Sequence, residues 1–76
     1  MFEVIIPKIE ANTEEVTIVR WLKNEGDKVE KGEPLLAIET AKTVMDIEAE
    51  QSGFLRKILS KEGEKVPVLK PVALLE

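Results

Sequence analysis

Carboxylates and lysines are the side chains with useful chemistry in this 76-residue chain, which has no His, no Cys and no Tyr. A Ser-His or Cys-His nucleophile is excluded, a zinc site would lack its nitrogen and sulfur donors, and general acid-base work falls to Asp, Glu or Lys. Of the lysines, Lys42 stands apart by its setting in Ile38-Glu39-Thr40-Ala41-Lys42-Thr43. If residues 40 to 43 turn between two strands, its amine projects into solvent from a rigid platform, open to a modifying enzyme. An amide on that amine removes the positive charge and leaves a long flexible arm. The attached group would then carry the chemistry and the scaffold would catalyse nothing.

The platform has to be small. The chain suffices for one domain, residues 1–76, and a chain of this size buries only roughly 60% of its unfolded surface, which leaves little room for an enclosed cleft. Disulfide and metal staples are missing. The charge balance is 11 basic against 15 acidic residues, net −4, the opposite of the basic footprint that binds phosphate backbones, so nucleic acid is a poor partner. No window approaches the roughly 18 apolar residues of a membrane span, and Met1-Phe2-Glu3-Val4 opens no basic-then-apolar leader. No membrane partner and a soluble, intracellular chain are expected. A hydrophobic content of 43% is ordinary for an ordered domain.

Gly and Pro punctuate the chain into short segments. Val4-Ile5-Ile6 reads as a first strand before Pro7, followed by an acidic surface loop from Glu10 to Glu15 that includes Glu14. Val16 to Leu22 is β-branched and aromatic and reads as a second strand. Further strands are expected at Val29, Leu35 to Ile38, Phe54 to Leu59, Val66 to Val68 and Val72 to Leu75, an all-β pattern. Leu35 to Gln51 contains no Gly or Pro and is ambiguous. Its apolar residues Leu35, Ile38, Ala41, Val44 and Met45 fit helical spacing, whereas the β-branched residues fit two strands joined near Ala41-Lys42. Propensity leaves the two balanced, and the hairpin lacks an Asn-Gly or Asp-Gly turn.

An internal repeat favours the hairpin. An offset of 37 residues lays Glu25-Gly26-Asp27-Lys28-Val29 over Glu62-Gly63-Glu64-Lys65-Val66, Pro34-Leu35 over Pro71-Val72, and Ala37-Ile38-Glu39 over Leu74-Leu75-Glu76. Arg20-Trp21-Leu22 falls over Lys57-Ile58-Leu59 in the same frame. A pair of small sheets related by a two-fold axis follows, with Glu39 closing a strand and Lys42 at an exposed tip. Trp21 reads as a core anchor, and Met45 as a core-facing gap filler.

Glu39-Thr40-Ala41-Lys42-Thr43 resembles the Glu-Thr-Asp-Lys-Ala hairpin of lipoyl domains, the swinging-arm carriers of 2-oxo acid dehydrogenase complexes. The resemblance runs the length of the chain through Ile6-Pro7-Lys8-Ile9, Ile18 to Leu22, Glu25 to Val29, Gly32-Glu33-Pro34-Leu35, Ser52-Gly53 and Glu62 to Val66. It implies a flattened β-barrel or sandwich of two four-stranded antiparallel sheets with pseudo-two-fold symmetry. It also implies lipoate in amide linkage on Lys42, placed there by a lipoate ligase or lipoyl transferase. A thiamine-dependent 2-oxo acid decarboxylase would acylate that group, an acyltransferase core would pass the acyl group to coenzyme A, and a flavin-containing dihydrolipoyl dehydrogenase would reoxidise it. The implied compartment is the cytoplasm of a bacterium or archaeon, or the mitochondrial matrix of a eukaryote.

The same resemblance assigns recognition by modifying enzymes or partners to Glu39, Thr40, Ala41, Thr43 and Gly32, and to Glu10, Glu14 and Glu15 of the acidic loop. Ala41 stands where the family has Asp, and Thr43 where it has Ala, so a negative charge and a side chain able to bond the turn backbone are both lost beside the lysine. The alternatives are a biotin carboxyl carrier with biotin on Lys42, though that family's Met-Lys-Met tip is absent, and an unmodified β-sandwich interaction module. An enzyme is the weakest reading.

Overall fold

Alternation of apolar and polar residues drives the first long strand. In Glu15–Trp21, Val16 and Ile18 turn inward and Glu15 and Val19 outward, the period of a strand with one buried face. In the computed structural model, which describes residues 1–76, eight strands form: β1 (Phe2–Ile5), β2 (Glu15–Trp21), β3 (Lys28–Val29), β4 (Pro34–Glu39), β5 (Val44–Glu48), β6 (Gly53–Ile58), β7 (Lys65–Pro67) and β8 (Pro71–Leu75). They make two four-stranded sheets in the orders β1-β8-β6-β3 and β5-β4-β2-β7, with every pairing antiparallel.

The repeat is the symmetry of these sheets. The 37-residue offset carries β2, β3 and β4 onto β6, β7 and β8 and turns one strand order into the other. The hydrogen bonds repeat in the same frame. Gly26 N–H donates to Leu55 O at 2.7 Å and Gly63 N–H to Ile18 O at 2.7 Å, while Leu55 N–H donates to Asp27 O and Ile18 N–H to Glu64 O, both at 2.9 Å. The two Glu-Gly turns therefore each hand a short strand to the opposite half of the chain. Gly26 and Gly63 sit at φ 93° and 87°, a left-handed conformation that glycine adopts without a Cβ penalty.

The ambiguous stretch Leu35 to Gln51 is not a helix. It forms β4 and β5, with Leu36 opposite Ile47 and Ile38 opposite both Met45 and Ile18. Lone-helix propensity yields here to burial, since β4 lies between two neighbours and Leu35, Leu36 and Ile38 are sealed from solvent. An irregularity in register between Pro34 and Leu36 lets the consecutive residues Leu35 and Leu36 both point into the core. Strand ends shift by a residue or two from the sequence reading. Glu15 belongs to β2 rather than to the acidic loop, pairing with Pro67, and Ile6, although fully buried, lies beyond β1. Prolines stand where a missing N–H costs no ladder bond: Pro34 and Pro71 open β4 and β8, and Pro67 is in the edge strand β7.

The core between the sheets is aliphatic, built on Ile6, Ile18, Val29, Leu35, Leu36, Ile38, Leu55, Val72 and Leu75. Trp21 and Met45 are half-buried and pack against it. Trp21 also fixes its polar edge, its indole N–H donating to Ser60 O at 2.8 Å.

Candidate functional site

β4 and β5 run to their last register pair, Glu39 with Val44, and the chain reverses over the four residues between them. Thr40 N–H donates to Thr43 O at 2.8 Å, closing the hairpin. None of these residues has a positive φ, so the turn dispenses with the Asn-Gly pair that a two-residue mirror-image turn demands.

What replaces it is the hydroxyl of Thr40. Lys42 N–H and Thr43 N–H each donate to Thr40 Oγ1 at 3.1 Å, and the hydroxyl donates to Thr43 O at 3.3 Å. Thr40 is the one buried polar residue of the chain, 8% exposed, whereas Ala41, Lys42 and Thr43 are all exposed. The Lys42 amine takes part in no ion pair and no hydrogen bond. A lysine side chain free of partners at the apex of a pinned turn is one that another protein can reach.

Of the remaining recognition candidates, Glu39 and Ala41 stand with Glu15, Thr40 and Lys65 around a shallow depression of about 260 Å3 beside the tip. Glu39 is exposed and faces Thr17 of β2. Glu10 is drawn back into its loop, its Oε1 accepting the Thr13 hydroxyl at 2.7 Å, and Glu14 is exposed, with its carbonyl accepting Val68 N–H at 2.9 Å. Gly32 is not brought to the tip. It lies beyond the opposite end of β4, a strand that itself spans roughly 20 Å at about 3.3 Å per residue, with φ 90° and its N–H on Ala49 O at 2.8 Å.

Several working residues escaped the sequence reading. The largest groove, about 640 Å3, lies far from Lys42 on the pseudo-two-fold axis, where Trp21, Asn24 and Glu25 meet their counterparts Ile58, Lys61 and Glu62. Its glutamates cap backbone: Glu62 Oε2 accepts Trp21 N–H at 3.0 Å and Glu25 Oε2 accepts Ile58 N–H at 2.8 Å. The repeat of Glu-Gly was their signal, since a conserved offset within one chain marks paired structural duties. Gly53 is a close-approach glycine, where an added Cβ would meet Glu76 O at 2.8 Å. No group of three or more His, Cys, Asp or Glu is placed to hold a metal ion.

The chain and its fold have counterparts among known proteins. A family model described as Biotin_lipoyl, biotin-requiring enzyme, matches residues 3–75. Over 74 residues the chain is 43% identical to the pyruvate dehydrogenase E1 component subunit beta of Rhizobium meliloti (strain 1021), covering 96% of this chain and 16% of that one. Over 68 residues it is 43% identical to the dihydrolipoyllysine-residue succinyltransferase component of the 2-oxoglutarate dehydrogenase complex of Bacillus subtilis (strain 168), covering 90% of this chain and 16% of that one. The chain thus spans a small part of the length of these relatives. The solution structure of the lipoyl domain of the 2-oxoglutarate dehydrogenase complex from Azotobacter vinelandii superposes with a TM-score of 0.80 at 28% identity, over 100% of this chain and 96% of that one. A family match over nearly every residue, joined to the same pair of sheets, leads to one conclusion: the chain belongs to the biotin/lipoyl family and is a lipoyl-type carrier domain.

Proposed function

We propose that Lys42 carries lipoate in amide linkage and that the domain serves as the swinging arm of a 2-oxo acid dehydrogenase complex. The observation that carries this reading is the unpartnered Lys42 amine at the apex of the β4-β5 turn. Once attached, the lipoyl group supplies a dithiolane that takes an acyl group from a thiamine-dependent decarboxylase, yields it to coenzyme A at an acyltransferase core and is reoxidised by dihydrolipoyl dehydrogenase. The chain itself contributes presentation: β4 and β5 hold the turn at the end of a rigid sheet, the exposed flanks leave the amine open, and Glu39, Glu15 and Lys65 give the approach a charged border.

Lipoate is favoured over biotin by the tip and by the relatives. The lysine is flanked by Ala41 and Thr43, and the nearest following methionine, Met45, packs against the core instead of flanking the amine. Relatives from Bacillus subtilis and from Arabidopsis thaliana chloroplasts are named for a dihydrolipoyllysine residue.

The test is intact mass after incubation with a lipoate ligase, lipoate and ATP, and in parallel with a biotin ligase, biotin and ATP, with fragmentation to map any adduct. A single lipoyl adduct on Lys42 is expected. A biotin adduct moves the domain to the carboxylase carriers, and an unmodified mass in both arms overturns the carrier assignment of Lys42 in favour of an interaction module.

A further inference from the structure

We propose that Thr40 is the positioning residue for Lys42: its buried hydroxyl, and no group on the exposed tip, fixes the backbone from which the amine is presented. This rests on Lys42 being the modified residue.

A hydroxyl has one proton to give and two acceptor sites. All are used within the turn, two by Lys42 N–H and Thr43 N–H and one by the bond to Thr43 O. In an ordinary β-turn the fourth residue's N–H goes to the first residue's carbonyl. Here the Thr43 N–H goes to the first residue's side chain, which also takes the Lys42 N–H. A threonine hydroxyl mimicking a backbone acceptor in this way is a known local competitor of regular structure. The usual liability of that device, a polar group buried without full pairing, is absent because no buried side-chain polar atom in the chain lacks a partner.

The neighbours contribute nothing equivalent. The Ala41 side chain has no polar atom, and the Thr43 hydroxyl donates outward to Val44 O at 3.4 Å. At 8% exposure, Thr40 shows an approaching enzyme only the edge it lends to the shallow depression beside the tip, so its main influence on modification passes through the position of Lys42. Turn stiffness is thereby separated from the identity of residue 41, and an alanine is tolerated there without loosening the tip.

Thr40→Val keeps the shape and deletes the hydroxyl, and Thr40→Ser keeps the hydroxyl. Two readouts apply to the full chain: amide hydrogen exchange at Lys42 and Thr43, and initial rates of lipoate transfer by a lipoate ligase across a range of domain concentrations. In Thr40→Val, exchange at both amides should rise about fivefold, the effect of losing one hydrogen bond of ordinary net strength, while exchange at Ile38 and Ile47 stays as in the parent. Apparent KM should rise by a similar factor with kcat unchanged, because the competent tip is populated less. Thr40→Ser should match the parent in both, and Thr40→Ala repeats the Val expectation should Val disturb folding. Unchanged exchange in Thr40→Val and Thr40→Ala overturns the inference, as does failure of Ser to restore either readout. Faster exchange with transfer kinetics like the parent's also overturns it, leaving Thr40 a turn residue without influence on the lysine. A parent chain that accepts no lipoate overturns the carrier reading instead, and exchange at the two amides still decides whether Thr40 fixes the tip.

Discussion

The carboxylate of Glu62 accepts the backbone N–H of Trp21 at 3.0 Å. The contact joins the two halves of the repeat, and the pair Glu25 and Ile58 closes the mirror contact at 2.8 Å. Each glutamate sits just before a left-handed glycine, Gly26 or Gly63, so one dipeptide both bends the chain and clasps the strand of the opposite half. The acidic character of the axial groove therefore follows from stability and needs no ligand.

Replacing Glu62 by Ala leaves the Trp21 N–H to water and should cost about 1 kcal/mol, lowering Tm by about 4–8 °C in a domain of this size. Glu25→Ala should match it within error because the symmetry gives it the same duty. Thermal melts of the two variants check this, and a loss in only one of them would show that the clasp is asymmetric.

Gly26→Ala and Gly63→Ala isolate a backbone effect. Neither new Cβ would meet an atom within 4 Å, so the expected loss of about 1–2 kcal/mol is the left-handed conformation alone. Gly53→Ala acts differently, through contact with Glu76 O. Its signature should be shifted amide resonances at Phe54 and Glu76, which exchange backbone hydrogen bonds at 2.9 Å, whereas the other two should perturb their own turns.

Lys42→Arg should leave stability within about 0.5 kcal/mol of the parent, as exposed substitutions without a partner do, and abolish adduct formation. Arginine keeps the charge but its guanidinium does not form the amide. Denaturant unfolding and intact mass on the same preparation check both halves, and an adduct surviving the change would place the modification on another lysine.

Glu33 should shape the acid limb of stability. Its carboxylate accepts the Glu30 N–H at 2.6 Å and the Lys23 ammonium at 3.2 Å, which together hold its pKa below the ordinary 4.5, the backbone bond contributing most. A group with a lowered folded-state pKa stabilises fully above its unfolded value and loses that contribution as pH falls through the folded one. Glu33→Gln should therefore be less stable than the parent at neutral pH, with the difference shrinking as pH drops below 4.5. Denaturant midpoints of the two proteins across that range test the sign.

Lys42 as the tip residue, the pair of sheets related by a two-fold axis and the exclusion of Ser-His and Cys-His nucleophiles were all legible in the residues themselves. Composition decides which side chains exist, and an internal repeat of Gly, Pro and β-branched residues constrains local conformation, which is set by neighbours in sequence. Tertiary structure decided what distance along the chain conceals. Propensity left Leu35 to Gln51 balanced and the repeat favoured a hairpin, but its pairing partner, Ile18 of β2 opposite Ile38, is fixed only by the closed sheet. Glu15 joined Glu39 at the tip while Gly32 went to the far end of β4, because pairing register alone says which residues meet. Thr40, which the resemblance assigns to recognition, is buried with its hydroxyl accepting the Lys42 and Thr43 N–H groups, since the direction in which a hydroxyl points is settled only when the sheets close around it.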